Sequence, residues 1–231
     1  HLKLGSINNI IRSILILKDI NADDLLDIVL HESRTKKLST YINQGNNTFS
    51  DETVVADNFV NLNSIHVSDI NGDQKIDILT TSRDDSQVSW FQNLDDLGNF
   101  SSENKITNYA YFINHVDAGD LDGDGDMDIV SSSHADHKLA WYPNVNGLGD
   151  FSQPQQLISN EFPAPRNAFI VDMNGDSFND ILFFSYLDDN PDEYKILWLE
   201  NDGDGNFIQE HIVDNIEEQI LQIQYVDIDN D

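Results

Sequence analysis

Aspartates and asparagines recur in this chain at a spacing suited to holding a hard cation. The pattern is Asp-x-(Asp/Asn)-x-Asp-x-x-x-Asp, followed by two aliphatic residues. It is complete four times: at Asp19, Asn21, Asp23 and Asp27; at Asp69, Asn71, Asp73 and Asp77; at Asp120, Asp122, Asp124 and Asp128; and at Asp172, Asn174, Asp176 and Asp180. A fifth copy begins at Asp227 and Asp229 and ends with the sequence at Asp231. Side-chain oxygens at positions 1, 3, 5 and 9 of a tight loop suit an ion that takes about 6–8 oxygen ligands at about 2.3–2.6 Å. Position 7 can add a backbone carbonyl, from Leu25, Lys75, Asp126 and Phe178. Calcium, about one ion per complete copy, is the expected cofactor. Zinc is disfavoured because the loops carry neither His nor Cys, and magnesium by the number of protein oxygens offered. A single such loop could equally be an Asx-turn without an ion; four copies, each restoring a carboxylate at position 9, favour the ion. Carboxylates brought together repel one another and a divalent cation reverses that sign, so the expected role is to clamp the loop, not to catalyse.

The loops are not EF-hands, which need Gly at position 6 and Glu at position 12 between two helices. Position 12 here is Leu30, Thr80, Ser131 or Phe183. Gly72, Gly123 and Gly175 occupy position 4, where a bend without a Cβ is easiest; Ala22 replaces glycine in the first copy, which predicts a more strained turn there. Positions 2 and 8 are mostly apolar, as in Ile70 and Ile76 or Leu121 and Met127, and are expected to anchor the loop, although the fourth copy has Asn179 at position 8.

The first aspartates recur at intervals of 50, 51, 52 and 55 residues. Asn43, Asn93 and Asn144 each follow 24 residues behind theirs and Asn201 follows 29 behind, which predicts a loop insertion between Asp188 and Tyr194. Within a unit, short runs such as Ser64–Val67, Asp77–Thr81, Gln87–Asn93 and Phe100–Thr107 read as four strands separated by turn signals, and nothing holds a helical period for long enough to compete. A tandem four-stranded unit of this length predicts an all-β fold, a β-propeller of antiparallel blades. A linear array is disfavoured because sheets with two apolar faces need covering on both sides. The units fall at 11–60, 61–110, 111–163 and 164–218. Residues 1–10 read as the end of a preceding blade and 219–231 as the start of the next, so the sequence reads as a piece of a larger ring whose remainder is its first partner.

The 231 residues include 42 Asp+Glu against 12 Lys+Arg, a formal net charge of −30. That excludes nucleic acid as a natural partner, since a polyanion needs a basic footprint, and argues against an anionic membrane surface. The 39% hydrophobic content supplies a core. With no cysteine there is no disulfide framework and no thiol nucleophile. No apolar run approaches a membrane span; Ile14–Leu17 is strand-sized.

Asp69-Ile70-Asn71-Gly72-Asp73 through Asp77-Ile78, Asp120-Leu121-Asp122-Gly123-Asp124 through Asp128-Ile129, and Trp141-Tyr142-Pro143-Asn144 with Gly149-Asp150-Phe151 resemble the FG-GAP/VCBS repeat family, the calcium-binding propeller blades of secreted bacterial proteins and, more distantly, of integrin α-subunits. Lys138–Tyr142 is similar to the bacterial branch. Ser131-Ser132-Ser133 stands where the family's glycine-alanine-proline signature would be, so integrin function is not carried over. The resemblance implies a secreted or surface location, commonly a seven-bladed ring, and roles in adhesion or ligand capture. The expected function is a non-catalytic calcium-binding module that recognises a protein or glycan ligand. The alternative is a propeller assisting a polysaccharide-degrading enzyme; a plain structural spacer is the third reading. Trp90, Trp141 and Trp198, each three residues before an aligned asparagine, are expected to pack between blades, with sugar stacking as the alternative. His134 and His137 are expected in a solvated turn, with transition-metal binding as the alternative. Asp84-Asp85, Asp95-Asp96 and Asp188-Asp189 read as solvated loops, with glycoside cleavage as the alternative. No nucleophile elbow or phosphate loop is present.

Overall fold

The structure, a computed structural model, describes residues 13–59, 61–95, 97–187 and 190–216. The expected partial units at 1–10 and 219–231, with Asp227, Asp229 and Asp231, lie outside the described residues. Every regular element among the described residues is a strand. The first sheet is β1 (Ile14–Lys18), β2 (Asp27–Glu32), β3 (Lys37–Tyr41) and β4 (Thr53–Ala56). The second is β5 (Leu62–Ser68), β6 (Asp77–Ser82), β7 (Gln87–Phe91) and β8 (Asn104–Thr107). The third is β9 (Ile113–Gly119), β10 (Asp128–Ser133), β11 (Lys138–Tyr142) and β12 (Gln156–Ser159). The fourth is β13 (Arg166–Val171), β14 (Asp180–Leu187), β15 (Asn190–Asn201) and β16 (Phe207–Ile216). Strands follow chain order within each sheet and each neighbouring pair is antiparallel.

The sheets stack face to face, with the first strands β1, β5, β9 and β13 meeting in succession at the centre. This is an all-β propeller of four-stranded antiparallel blades. Its core is distributed between blades. Ile20, Val29 and Leu38 of the first blade pack with Leu62, Ile65, Ile78 and Phe91 of the second. Ile70, Leu79, Val88 and Trp90 pack with Ile113, Val116, Ile129 and Ala140, and Leu121, Val130, Leu139 and Trp141 with Ala168, Ile170, Ile181 and Leu197. The aliphatic pair that ends each acidic motif explains this arrangement. Successive strand residues point to opposite faces, so Ile78 joins the core towards the first blade while Leu79 joins the one towards the third. Ile129 and Val130 divide in the same way. Each of these fully buried side chains contributes roughly 1.5–3 kcal/mol.

One sequence expectation is corrected. Of the stretch read as a loop insertion, Asp188 and Asp189 lie outside the described residues, while Asn190–Tyr194 are strand. They lengthen the β14–β15 ladder, which pairs from Ile181↔Leu199 out to Tyr186↔Tyr194 and Leu187↔Asn190. The Tyr186 and Tyr194 rings lie 4.8 Å apart, and burial of Tyr194 supplies the apolar contact that a solvated loop would lack.

Candidate metal centres and the clamps that join the blades

Each acidic motif links the first and second strands of its blade, so all four lie at the same end of the ring, and their hydrogen bonds repeat. The position 1 carboxylate accepts amides from its own loop: Asp19 from Asp23 and Asp24, Asp69 from Asp73 and Gln74, Asp120 from Gly123 and Gly125, Asp172 from Gly175 and Ser177. The position 5 carboxylates of Asp23, Asp73, Asp124 and Asp176 accept the N–H of Leu25, Lys75, Asp126 and Phe178 at 2.8–3.0 Å. At position 3, the amides of Asn21, Asn71 and Asn174 donate to the position 5 carboxylate. In the third copy position 3 is Asp122, and one carboxylate oxygen from each of Asp120, Asp122 and Asp124 lies within 4.8 Å of the others. Burial, then the charges of Asp124 and Asp120, raise the Asp122 carboxyl above its usual range. The donor set is all oxygen and already convergent, which fits calcium.

Position 9 is the most buried member of the motif. Asp27, Asp77, Asp128 and Asp180 are at most 1% exposed. One oxygen of each accepts the position 2 amide, from Ile20, Ile70, Leu121 and Met173. The other accepts the amide of the aligned asparagine, from Asn43, Asn93, Asn144 and Asn201, at 2.7–2.9 Å. Burial raises all four carboxyls, Asp77 to about 6 and Asp128 to about 7, against the lowering effect of those amides. The Trp90 and Trp141 indole N–H groups approach the Asp77 and Asp128 carboxylates and lower them slightly, without closing a hydrogen bond of good geometry. A divalent charge in the loop would offset the burial cost.

The loop backbone meets expectation at position 4 and departs from it at position 6. Position 4 is left-handed, as its glycines imply, and Ala22 is forced to a φ of 61°. Position 6 is left-handed as well, occupied by Asp24, Gln74 and Ser177 in three copies and by Gly125 in one. The amide at that residue is the one that reaches the position 1 carboxylate, so the bond compensates an otherwise unfavourable conformation. The anchor expected at position 8 holds for Ile76, half-buried against the core between the first two blades, and is corrected in the first and third copies. Position 2 is buried at Ile20, Ile70 and Leu121, but Leu26 and Met127 at position 8 are 56% and 38% exposed. What position 8 contributes is its main-chain carbonyl, a role indifferent to side-chain polarity.

The aligned asparagines use that carbonyl. Asn93 Nδ2 donates to Ile76 O in its own blade and to Ile20 O in the preceding one. Asn144 donates to Met127 O and Ile70 O, and Asn201 to Asn179 O and Leu121 O. The second, third and fourth acidic loops are thereby each tied to the preceding one by a buried side chain. The sequence shows the phase of these asparagines but not their partners. The same blades are joined a second time by the residue three places earlier. Thr40, Trp90 and Trp141 lie beneath Gly98, Gly149 and Gly205 of the following blade, where a Cβ would come within 3.5, 2.3 and 2.5 Å of them. Trp90 and Trp141 are buried between blades as expected. Trp198 is instead partly exposed and stacks on His211 at 4.0 Å. At the centre, Asp117 accepts the Ile170 amide at 2.8 Å and contacts His66 Nδ1 at 2.6 Å, joining β5, β9 and β13, an arrangement with no signal in the repeat.

At the opposite end of the ring, His137 Nδ1 accepts the Ala164 amide at 2.8 Å and His134 packs edge-on against Tyr186. Both lie in the turn between β10 and β11, His137 exposed and His134 half-buried, as the solvated-turn reading expects, and each faces a different partner. Asp84 accepts from Asn61 and Asp85 from Ser82, while Asp95 accepts within its own turn. Between the first and second blades lies a cavity of about 560 Å³ bordered by Phe59, Asp85, Gln87, Glu103 and Lys105.

A repeat model, described as an FG-GAP-like repeat, matches residues 19–80 and 69–131. Residues 19–131 are built of FG-GAP-like repeats. Among solved structures it is similar to a lectin of Agrocybe aegerita, described for specific recognition of non-reducing terminal N-acetylglucosamine, with 25% identity and a TM-score of 0.66. That likeness covers 90% of this chain and 54% of the lectin chain, so these repeats span about half its length. Two further likenesses, to the Photorhabdus luminescens Tc holotoxin pore (17% identity, TM-score 0.47, 79% of this chain and 10% of that one) and to the Vibrio cholerae biofilm matrix protein Bap1 (15%, 0.43, 90% and 39%), are weaker. No curated protein matches the chain.

Proposed function

We propose that these FG-GAP repeats form a non-catalytic, calcium-clamped recognition module of a secreted or surface protein, with glycans as the ligand class. The observation that carries the calcium reading is the convergence of Asp120, Asp122 and Asp124 in a loop whose hydrogen-bond frame repeats in all four blades. Asp19, Asp69 and Asp172, with Asn21, Asn71 and Asn174 and the position 5 and 9 carboxylates, would hold the other ions. Calcium supplies positive charge that relieves mutual repulsion among these oxygens. The protein's part is to hold them in place: the position 9 carboxylate fixes the strand that follows the loop, and the aligned asparagine passes that rigidity to the preceding blade. Loops ordered beforehand lose less entropy on binding. The glycan reading is supported by the likeness to the N-acetylglucosamine-recognising lectin and by the polar-rimmed inter-blade cavity, which lies in the size range of small-ligand sites.

The test is a glycan array probed with calcium-loaded and chelated protein, alongside calorimetric titration. The expected result is about one ion per described blade, binding of a restricted set of glycans, and loss of that binding with chelator. Calcium that neither titrates nor raises the melting temperature would refute the clamp; reducing ends released from a bound polysaccharide would refute the non-catalytic reading.

A further inference from the structure

The chain has four arginines, Arg12, Arg34, Arg83 and Arg166, among its 42 acidic residues, yet no ion pair among the described residues involves an arginine. Two of the four, from different blades, converge on one histidine at the end of the ring away from the acidic loops. The Arg83 guanidinium, after β6, lies over the Phe112 ring at 4.7 Å. Phe112 O accepts the His134 amide, and the His134 ring meets Tyr186 at 6.0 Å. The Arg166 guanidinium lies 5.2 Å over the Tyr186 ring and donates one N–H to its hydroxyl at 2.7 Å. Burial, then the charges of Arg166 and Arg83, hold the His134 imidazole below its usual pKa. The nearby acids are engaged elsewhere: Asp84 with Asn61, Asp85 with Ser82, and Asp136 with Lys138.

Like charges gathered without counter-charge are costly. Here they are held by aromatic faces, which leave guanidinium donors unspent: the Arg166 Nε is buried without a partner. Strands of about six residues at about 3.3 Å per residue place the acidic loops roughly 20 Å away, about two Debye lengths at physiological salt. The charge of those four loops therefore reaches this row much weakened. Beside it, Tyr109, Tyr111 and Phe112 are 68%, 57% and 47% exposed, offering flat apolar faces of the kind on which sugar rings stack.

We infer that the row Arg83–Phe112–His134–Tyr186–Arg166 binds a carboxylate-bearing saccharide, the guanidiniums taking the carboxylate and the exposed aromatics the ring. The sugar part rests on the glycan reading above; the anionic part rests on the unpaired arginines alone. Guanidinium pairs carboxylate bidentately with planar complementarity, so a uronate ring whose carboxylate pairs with either arginine lays its C–H face on the aromatic segment.

The experiment titrates the calcium-loaded chain with a β-1,4-linked glucuronate trimer, with cellotriose as the same backbone lacking the charge, and with inorganic phosphate. The trimer is expected to bind at least tenfold more tightly than cellotriose, to weaken as salt rises, and to lose tenfold or more on Arg166→Gln. Arg166 also holds Tyr186, so Arg83→Gln, which removes no side-chain hydrogen bond, is the second variant and is expected to lose as much at an unchanged melting temperature. Phosphate binding as tightly as the trimer, equal binding of trimer and cellotriose, or undiminished binding by both variants would overturn the inference. Array binding of neutral glycans with none of the trimer overturns this site and leaves the glycan reading standing; silence towards every glycan removes both.

Discussion

Truncating Asn144 to alanine tests the idea that the blades are locked through their metal loops. Its side chain is 1% exposed. It donates to Ile70 O at 2.9 Å across the blade boundary and to Met127 O at 3.2 Å within the blade, and its Oδ1 accepts the amides of Gly149 and Asp150 at 3.0 and 3.2 Å. Alanine leaves two carbonyls and two amides without these partners. At roughly 0.5–1.5 kcal/mol net for each bond, the loss is about 2–6 kcal/mol. Asn43 is the internal control: it is half-buried and its side chain bonds only Leu26 O and the Gly45 amide, so Asn43→Ala should cost about 1–3 kcal/mol, half the loss at Asn144. For a chain of this size each kcal/mol shifts Tm by about 2–4 °C. The two variants are therefore separable by thermal melts and urea titrations, run in calcium and in chelator. Equal losses at the two positions would show that the bond to the preceding blade carries no stability, and the lock would have to be sought in apolar packing alone.

Gly149→Ala places a Cβ 2.3 Å from the Trp90 ring at a φ of 79°. Overpacking of about 1–3 kcal/mol adds to about 1–2 kcal/mol of left-handed strain, and urea unfolding should register the sum; a neutral variant would mean the Trp90 contact is loose. Ala22→Gly relieves a residue held at a φ of 61° and should raise stability by up to about 1 kcal/mol, whereas a lower melting temperature would contradict the strain. The pH response without metal follows from Asp128, whose carboxyl burial raises to about 7. Between about pH 4 and 7 the folded state keeps a proton that the unfolded chain has released, so this group's contribution falls as pH rises through that window and is flat above it. The buried His31, His115 and His134, all lowered chiefly by burial, act in the opposite sense as pH falls below about 6.5. The carboxyl is isolated by comparing chelated wild type with Asp128→Asn from pH 5 to 8. The stability difference should change in the variant's favour as pH rises, and a difference independent of pH would exclude a raised carboxyl.

The amino-acid order by itself determined the repeat, the strand count of each described unit and the position of the four described acidic loops. These follow from local rules: side-chain alternation along strands and turn chemistry over a few residues. Tertiary structure decided what joins the units. The phase of Asn144 is visible in the sequence, yet its acceptor Ile70 lies 74 residues away, and only stacked blades bring the two together. Trp90 and Gly149 meet for the same reason. The left-handed position 6 was hidden because Asp24, Gln74 and Ser177 carry no glycine signal; their conformation is stabilised by a carboxylate five residues earlier. The fourth unit's extra residues resemble a loop in composition and became strand because Tyr194 found a buried place against Tyr186 and Phe184. The arginine and aromatic row was illegible for the same physical reason as the asparagine clamps: its members come from three consecutive blades, and sequence periodicity describes each blade without describing the surface their neighbours make together.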